Sequence, residues 1–273
     1  MAGTEHIPIV ELGVDDAPAG LVLSTEAHWN QTEADWRFFL TKGIVFGVRD
    51  RKHLIATAAL LPYSAGNAWI SMVLVTEIFR RRGIATLLVD ECLKLAGKRG
   101  LTAWLDATPA GATVYGPLGF TPTLQLRRLR LKNSAHAAPQ PLSMSSLDDL
   151  IARDRGALGF DRSPLLAEFA GRSRSRVLSR GDAMALVRDG RTARHIGPLF
   201  ANTTASALAL VDAITRSEAG PLLIDAISSP DDFLKGLTDA GWTIERPFQR
   251  MRFGRTITQS EGLPFAVAGP EFG

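Results

Sequence analysis

A basic turn that contains a glycine is the stretch of this sequence best suited to chemistry. Arg80, Arg81 and Arg82 are followed by Gly83, in a turn that joins an apolar run to an amphipathic segment. A helix that begins near Arg82 would have free backbone N–H groups and the positive end of its dipole at the turn. Glycine lets a ligand approach the backbone closely, and the arginines add positive charge. The turn therefore predicts a phosphate or pyrophosphate site, with a solvated basic turn as the alternative.

The residues on either side of this turn predict the elements that would hold it. Before it, Val73, Leu74 and Val75 form a short apolar run, which is typical of a strand in the core of a sheet. After it, apolar residues recur at helical spacing, at Ile84, Leu87, Leu88, Cys92 and Leu95. The stretch therefore predicts a buried strand, a tight turn and an amphipathic helix.

A second candidate for chemistry follows the next predicted strand, residues 101–107. This strand carries Asp106 near its end, and Thr108 comes directly after it. Pro109 is at a position favoured for the first residue of a helix, and that helix would run to Tyr115. Because a helix joins strand 101–107 to strand 68–75, we expect the two strands to be parallel.

Two motifs in these stretches resemble those of the GNAT-type N-acetyltransferases. Residues 80–85 fit the pattern (Gln/Arg)-x-x-Gly-x-(Gly/Ala) of the acyl-CoA pyrophosphate loop, and residues 108–120 resemble the segment that ends in Tyr-x-x-x-Gly-Phe. The resemblance implies acetyl-CoA as the co-substrate and no metal. It assigns the pyrophosphate to the loop residues Arg80, Arg81, Arg82, Gly83, Ile84 and Ala85. Thr108 stands where many relatives have Asn, so a hydroxyl would replace part of that cofactor contact.

The resemblance also implies roles in acyl transfer. A backbone N–H at Leu74 or Val75 would polarise the thioester carbonyl, and Tyr115 would protonate the leaving thiolate. Some relatives carry a glutamate base where this chain has Trp69, so we consider Asp106 as the base. The alternative for Asp106 is structural, as the cap of the helix that follows it. Because no Cys or Ser nucleophile constellation is evident, we expect direct attack by the amine in a ternary complex.

The predicted order of elements, β-α-α-β-β-β-α-β-α-β, is that of a GNAT domain, an α/β fold with a mixed sheet. Between its first two helices, Trp29, Asn30 and Gln31 form a loop with an aromatic ring and two amides. We interpret this loop as a contact with the substrate. The alternative is local structure, in which Asn30 or Thr32 caps the second helix.

The second half of the chain resembles a degenerate copy of the first. Two segments recur 122 positions later: Leu88-Val-Asp90 as Leu210-Val-Asp212, and Gly119-Phe-Thr121 as Gly241-Trp-Thr243. The second half has Asn202-Thr-Thr-Ala-Ser-Ala207 in place of the basic loop, and its short helix has no tyrosine. We therefore predict tandem GNAT-like domains that bind one acyl-CoA per chain.

The predicted division of the chain is a catalytic domain at 1–132, a linker at 133–141, a degenerate domain at 142–254 and a tail at 255–273. The tail is rich in Gly and Pro, and we expect it to lie across a domain surface. Asp161 and Arg162, in a loop of the second half, are further candidates for substrate binding, because ligands often bind between domains. The structural alternative is that Ser163 simply caps the next helix.

Composition limits the function classes. Hydrophobic residues make up 45% of the chain and charged residues 22%, as in a soluble globular protein. The net charge of +3 is too small to argue for nucleic acid, and no apolar run has membrane-spanning length. A single cysteine and the lack of a signal sequence favour the cytoplasm. We expect a small-molecule amine as acceptor; a non-catalytic acyl-CoA sensor or partner-binding module is the rival hypothesis.

Overall fold

The computed structural model describes residues 8–132, 138, 140–229, 231–255 and 262–273. Its contacts form two compact units, Met1–Pro62 with Gly66–Trp104 and Tyr63–Ala65 with Leu105–Gly273. The division falls inside strand β5 (Thr102–Ala107) and not near residues 133–141. Residues 133–137 and 139 of the predicted linker lie outside the described residues, and the predicted domain boundaries stay a prediction.

The first unit contains the elements that carry the basic loop. They are β1 (Ile9–Glu11), α1 (Ala17–Glu26), α2 (Glu33–Lys42), β2 (Ile44–Asp50), β3 (His53–Pro62), β4 (Asn67–Val75), α3 (Ile84–Lys98) and the start of β5. Strands β1 to β4 are antiparallel neighbours in that order. Strand β4 pairs with β5 in parallel, as the crossover through α3 predicts.

Local signals explain why the first two helices pack as they do. Thr32 caps α2, since its hydroxyl accepts a hydrogen bond from the Asp35 N–H, and the Asp35 carboxylate accepts one from the Thr32 N–H at 2.7 Å. The Trp36 indole N–H donates to the Ser24 hydroxyl at 3.1 Å, which ties α2 to α1. A Cβ at Gly20 would lie 2.5 Å from the Trp36 ring, so only glycine lets the two helices approach this closely. Thr32, and not Asn30, therefore provides the cap.

The second unit contains the end of β5 and all the later elements. They are α4 (Pro109–Tyr115), β6 (Thr121–Leu131), β7 (Ser143–Met144), α5 (Leu147–Leu158), α6 (Ser163–Gly171), β8 (Arg176–Arg180), β9 (Ala183–Arg188), β10 (Arg194–Phe200), α7 (Thr204–Ser217), β11 (Leu222–Ile227), α8 (Asp231–Asp239) and β12 (Thr243–Phe253). The strand order after β5 is β12-β6-β11-β10-β9-β8-β7.

The two copies exchange their last strands. Strand β12 of the second copy lies between β5 and β6, and β6 of the first copy pairs with β11. Strands β6 and β12 start 122 positions apart, and their eleven positions have the same pattern of burial. The repeat predicted from short sequence matches is therefore present in three dimensions, and the exchange explains why the end of β5 belongs to the second unit.

The prediction that the tail lies across a domain surface is wrong for residues 266–273. From Ala266 to Gly273 every residue is buried, and Ala266 forms strand bridges with Leu199 of β10 and Ala226 of β11. The segment enters the interior because these backbone bonds and its small apolar side chains can replace a strand of the sheet. Residues 256–261 of the predicted tail lie outside the described residues.

Candidate active site

The loop between β4 and α3 has the conformation of an open helix N-terminus. Gly83 is the N-cap residue of α3, with φ of 77°, and Arg81 also has a left-handed φ of 62°. The left-handed backbone at Gly83 cannot continue a right-handed helix, so α3 begins at Ile84, slightly after the predicted start near Arg82. Among the described residues, no side chain caps this N-terminus. Its backbone N–H groups and positive dipole end therefore suit an anionic ligand.

The three arginines are exposed, and two of them are held by carbonyl groups of the loop itself. Arg80 Nε donates to the Val75 carbonyl oxygen at 3.0 Å, and Arg82 Nη2 donates to the Ile78 carbonyl oxygen at 3.0 Å. The Arg82 guanidinium also lies 4.9 Å from the centroid of the Phe79 ring. These contacts orient two positive charges beside the start of α3 before any ligand binds.

Glu26, at the end of α1, fixes the start of the loop. Its carboxylate accepts hydrogen bonds from the Thr76 hydroxyl at 2.6 Å and from the Glu77 N–H at 2.7 Å. The Thr76 hydroxyl holds the pKa of Glu26 below its usual range, and the Glu77 N–H adds to the shift. Sequence reasoning missed Glu26, because an exposed acid in the last turn of a helix carries no local signal for a contact fifty residues away.

Strand β4 is irregular just before the loop. Met72 has a left-handed φ of 51°, and the pairing of β4 with β3 shifts register between Ser71 and Leu74. The Thr57 hydroxyl donates to the Met72 carbonyl oxygen at 2.8 Å, which stabilises this bulge. Leu74 and Val75, the predicted donors to the thioester carbonyl, lie after the bulge and remain paired with β3.

The predicted substrate loop also lies in the first unit, and its amides are buried. The Trp29 N–H donates to the Ser24 carbonyl oxygen at 2.9 Å. Asn30 is 7% exposed and Gln31 is 3% exposed. Within the described part of the chain, the Gln31 Oε1 atom has no hydrogen-bond partner. A buried amide oxygen without a partner is costly, which makes it a suitable acceptor for a ligand N–H.

The tyrosine helix α4 lies in the second unit and has the predicted bounds. Thr108 caps it, with the hydroxyl oxygen accepting from the Gly111 N–H at 3.2 Å. Tyr115 is 9% exposed, and its ring lies 6.0 Å from that of Phe120. A Cβ at Gly119, where φ is 96°, would lie 3.2 Å from the Phe253 ring. The Gly-Phe part of the motif therefore positions the end of the tyrosine helix by packing.

Asp106 makes a buried ion pair with β12. Its carboxylate accepts from Arg250 Nε and Nη2, both at 2.8 Å, and its side chain is 0% exposed. Burial raises the pKa of Asp106, and the charge of Arg250 opposes that shift. Thr108, and not Asp106, caps the following helix. The contacts of Asp106 are those of a structural ion pair, and its role as a base stays a prediction.

The second copy contains the same ion pair in reciprocal form. Asp225 of β11 accepts from Arg128 Nε and Nη2 of β6, both at 2.8 Å, and also lies 2.9 Å from His195 Nε2. Arg128 and Arg250 are 122 positions apart, so the repeat spacing could have revealed both arginines. Although burial alone would raise the pKa of Asp225, the Arg128 guanidinium holds it well below its usual range. Each copy thus supplies the arginine that pairs with the aspartate of the other.

Asp161 and Arg162 are engaged in contacts within the second unit. Arg162 is 1% exposed, pairs with Asp154 at 2.8 and 2.7 Å, and donates to the carbonyl oxygen of Phe272 at 3.1 Å. The Asp161 carboxylate accepts from the Ser163 N–H at 2.8 Å, a bond that lowers its pKa. Ser163 is the first residue of α6 and does not cap it; Arg162 is at the N-cap position, without a side-chain cap hydrogen bond. The substrate-binding role of both residues stays a prediction.

Two α/β copies in one chain, one with an open basic loop and one without, define a tandem acyltransferase architecture. Comparisons with known families agree: residues 14–120 match the model of the acetyltransferase (GNAT) family, and residues 150–266 match an acetyltransferase (GNAT) domain. The chain belongs to the GNAT superfamily, as a tandem member of this group of acyltransferases.

Several known proteins resemble the whole chain. The uncharacterized N-acetyltransferase YitH of Bacillus subtilis is 23% identical over 86% of this chain and 87% of its own. A solved structure of a Pyrococcus horikoshii protein assigned as an acetyltransferase has a TM-score of 0.84 at 19% identity, and covers 99% of this chain and 97% of its own. A tandem GNAT protein from the clavulanic acid biosynthesis pathway has a TM-score of 0.64 at 16% identity, over 92% and 99%. These similarities show the fold.

The described residues contain neither a candidate metal centre nor a membrane-spanning helix. Among the described residues, no group of three or more His, Cys, Asp or Glu side chains could hold a metal ion. In the same part of the chain, no helix is both long and apolar enough to cross a membrane. Cys92 is buried on α3, and burial raises the pKa of its thiol, which fits a core residue and not a nucleophile.

Proposed function

We propose that this protein transfers an acetyl group from acetyl-CoA to a primary amine of a small molecule, by direct attack in a ternary complex. The open N-terminus of α3 beside three exposed arginines is the observation that carries the proposal. Anions bind such helix ends because the unpaired N–H groups and the dipole both favour negative charge. In the family to which the chain belongs, the anion at this loop is the pyrophosphate of acyl-CoA.

The residues of the loop fit the co-substrate, which supplies the acetyl thioester when bound. Arg80, Arg81 and Arg82 would neutralise the pyrophosphate, and the N–H groups of Gly83, Ile84 and Ala85 would bind its oxygens. Leu74 or Val75 would donate to the thioester carbonyl. Thr108 already uses its hydroxyl oxygen as the cap of α4, so its contact with the co-substrate would come from the hydroxyl proton.

Tyr115 is the proposed general acid that protonates the thiolate leaving group. Removal of a proton from the amine has two candidate routes, Asp106 and ordered water. Because Arg250 occupies both carboxylate oxygens of Asp106, a proton transfer to Asp106 would weaken a buried ion pair. These contacts favour ordered water as the route.

The acceptor would contact the loop of Trp29, Asn30 and Gln31. The buried Gln31 Oε1 atom would accept a hydrogen bond from an N–H of the acceptor. A small amine fits this role, because its ammonium or amide donors can satisfy one buried oxygen without a large contact surface. Asp161 and Arg162 remain weaker candidates, since both have structural partners.

The test measures release of free thiol from acetyl-CoA in the presence of a panel of small amines. The chain has two tyrosines, which provides a matched control. Tyr115→Phe should lower kcat by about 10²- to 10⁴-fold, the usual contribution of a general acid, with the affinity for acetyl-CoA little changed. Tyr63→Phe removes only a hydroxyl that donates to the Phe272 carbonyl oxygen, and should retain kcat.

Three outcomes would each contradict part of the proposal. Binding of acetyl-CoA with no thiol release across a broad panel would favour the rival function, a non-catalytic acyl-CoA sensor. Equal kcat for wild type and Tyr115→Phe would remove Tyr115 from the mechanism. Recovery of a side chain that carries the acetyl group would exclude direct attack.

A further inference from the structure

Strands β10 and β11 of the second copy separate towards their ends, and another segment of the chain fills the gap between them. The two strands pair in parallel from Arg194 to Ile196 and from Leu222 to Ile224. Beyond this point Ala266 bridges to both strands, and its neighbours Phe265 and Val267 hydrogen-bond to them; we call residues 262–273, which contain this stretch, the inserted segment. The chain at Ala266 is therefore bridged on both sides, and it runs antiparallel to each of its neighbours.

Backbone hydrogen bonds hold the inserted segment on both sides. On the β10 side, the Leu199 N–H donates to the Ala266 carbonyl oxygen at 2.9 Å, and the Phe265 N–H donates to the Leu199 carbonyl oxygen at 2.8 Å. On the β11 side, the Ile227 N–H donates to Phe265 and the Val267 N–H donates to Asp225, both at 3.0 Å. This is the pattern by which an extended peptide adds to exposed strands.

The side chains that line the gap fit a peptide of small residues. Ala266 and Val267 are 0% exposed, and the Phe265 ring packs edge-on against Phe233 at 5.0 Å. A Cβ at Gly197 would lie 2.1 Å from the Val267 carbonyl oxygen. Glycine at 197 therefore lets the segment come as close to β10 as its hydrogen bonds require.

The equivalent aspartate of the first copy has an exposed main chain. Asp106 and Asp225 occupy the same place in their repeats, on β5 and β11. The side chain of Asp106 is 0% exposed although the residue is partly exposed, so the exposed part is its main chain. At Asp225 the whole residue is 0% exposed, and its carbonyl oxygen accepts from Val267. The inserted segment thus covers in the second copy a strand end that the first copy leaves uncovered.

We propose that the gap between β10 and β11 is a binding site for an extended apolar peptide, occupied in cis by the inserted segment. Recognition is through the backbone on both edges, with a small residue required at the position of Ala266 and an aromatic ring accepted at that of Phe265. The second copy has therefore become a peptide-binding domain. The site does not depend on whether the first copy transfers acetyl groups.

The test asks whether the segment behaves as a ligand once its covalent connection is cut. A specific protease site is inserted after Arg255 in the full chain, and the cleaved protein is passed through a gel-filtration column. The fraction of the segment that co-elutes is measured by mass spectrometry. The wild-type segment should remain bound, and an excess of labelled synthetic peptide of residues 262–273 should exchange with it.

Two pairs of variants test the site from both sides. On the strand side, Gly197→Ala should weaken binding at least tenfold, because its Cβ would collide with the Val267 carbonyl; Gly156→Ala, which has nothing within 4 Å, should bind like wild type. On the segment side, Val267→Pro removes the N–H that donates to Asp225, and should weaken binding by about tenfold. Val267→Thr keeps that N–H and the branched shape and adds only a buried hydroxyl, so it should weaken binding less than Val267→Pro.

The outcomes decide the proposal even if one variant fails to fold. If Gly197→Ala is insoluble, the comparison of Val267→Pro with Val267→Thr still measures the contribution of the backbone bond. Release of the wild-type segment from a cleaved protein that keeps its circular dichroism spectrum would overturn the proposal. Equal retention of the Val267→Pro and Val267→Thr segments would also overturn it.

Discussion

The two copies differ most at the junction between a central strand and the helix that follows it. In the first copy, β4 ends at Val75 and α3 begins at Ile84, with an open loop between them. In the second, β10 ends at Phe200 and α7 begins at Thr204 after only a short turn. There the Thr203 hydroxyl oxygen accepts from the Ser206 N–H at 3.1 Å, so α7 is capped by its own chain. One fold therefore contains one helix N-terminus without a side-chain cap and one that is capped by its own chain.

Both copies contain a buried Asp–Arg ion pair. The Asp106–Arg250 and Asp225–Arg128 pairs have the same bidentate geometry, yet only the first copy has the loop and the tyrosine. A pair that recurs in the copy without these groups needs no catalytic explanation. Each pair joins a strand of one copy to the exchanged strand of the other, which is the structural role we assign to both.

The largest predicted effect comes from removing the negative charge of either buried aspartate. Asp106→Asn and Asp225→Asn each leave a buried guanidinium without its counter-charge, and each should lower the free energy of unfolding by about 3–5 kcal/mol. Urea denaturation of both variants, with the exposed Asp148→Asn as control, measures the effect. A loss of kcat confined to Asp106→Asn, at equal loss of stability, would show that Asp106 does act in catalysis.

The second prediction uses His195, which has no counterpart in the ion pair of the first copy. Burial lowers the pKa of His195 to about 4. The unfolded state, with an ordinary pKa, binds a proton more readily, so the free energy of unfolding should decrease as the pH falls from about 6.5 to about 4, by about 3 kcal/mol. Asp225, whose pKa is also low, adds loss in the same direction at lower pH.

The measurement for His195 is denaturation at a series of pH values. His195→Gln keeps a donor towards Asp225 but does not titrate, so its stability should vary less between pH 6.5 and 4. The exposed His53→Gln serves as control. An unchanged pH profile in His195→Gln would mean that His195 does not control the loss of stability over this pH range.

The third prediction concerns the arginines of the basic loop, which only the first copy contains. Arg80→Ala, Arg81→Ala and Arg82→Ala, made singly, should each weaken acetyl-CoA binding by about tenfold or more, since hydrogen bonds to charged groups contribute about 1.5–3 kcal/mol. Calorimetric titration should give one site per chain. Arg174→Ala, which removes an exposed arginine from the second copy, should leave affinity unchanged. A second equivalent binding site would contradict the assignment of α7 as a closed helix end.

The smallest predicted effect concerns the start of the open loop. Glu26→Gln keeps the shape of the side chain but weakens its bonds to the Thr76 hydroxyl and the Glu77 N–H. Because these bonds are exposed, we expect acetyl-CoA binding to weaken only by about two- to fivefold, or about 0.5–1 kcal/mol. The control is Glu33→Gln, an exposed acid on α2. Equal affinities in the two variants would mean that the loop holds its conformation without Glu26.

Much of the fold could be predicted because its signals are local. The helix α4 has the bounds Pro109–Tyr115 that its proline and motif predict, and the order of elements in the first copy is as predicted. The strand exchange could not be predicted, because nothing in the sequence of β6 indicates whether it pairs with β5 or with β11. The contact of Asp106 with Arg250 could not be predicted for the same reason, because β12, which carries Arg250, lies beside β5 only as a result of the strand exchange.

The amino-acid sequence by itself determined the family, the repeat and the difference between the two loops. These depend on residue type and spacing over short stretches, such as Gly83 after three arginines against Thr203 before Ser206. Only the tertiary structure decided that residues 266–273 enter the interior. Their Gly, Pro and small apolar residues look like an irregular surface segment, because a strand paired on both edges and buried on both faces has no alternating pattern.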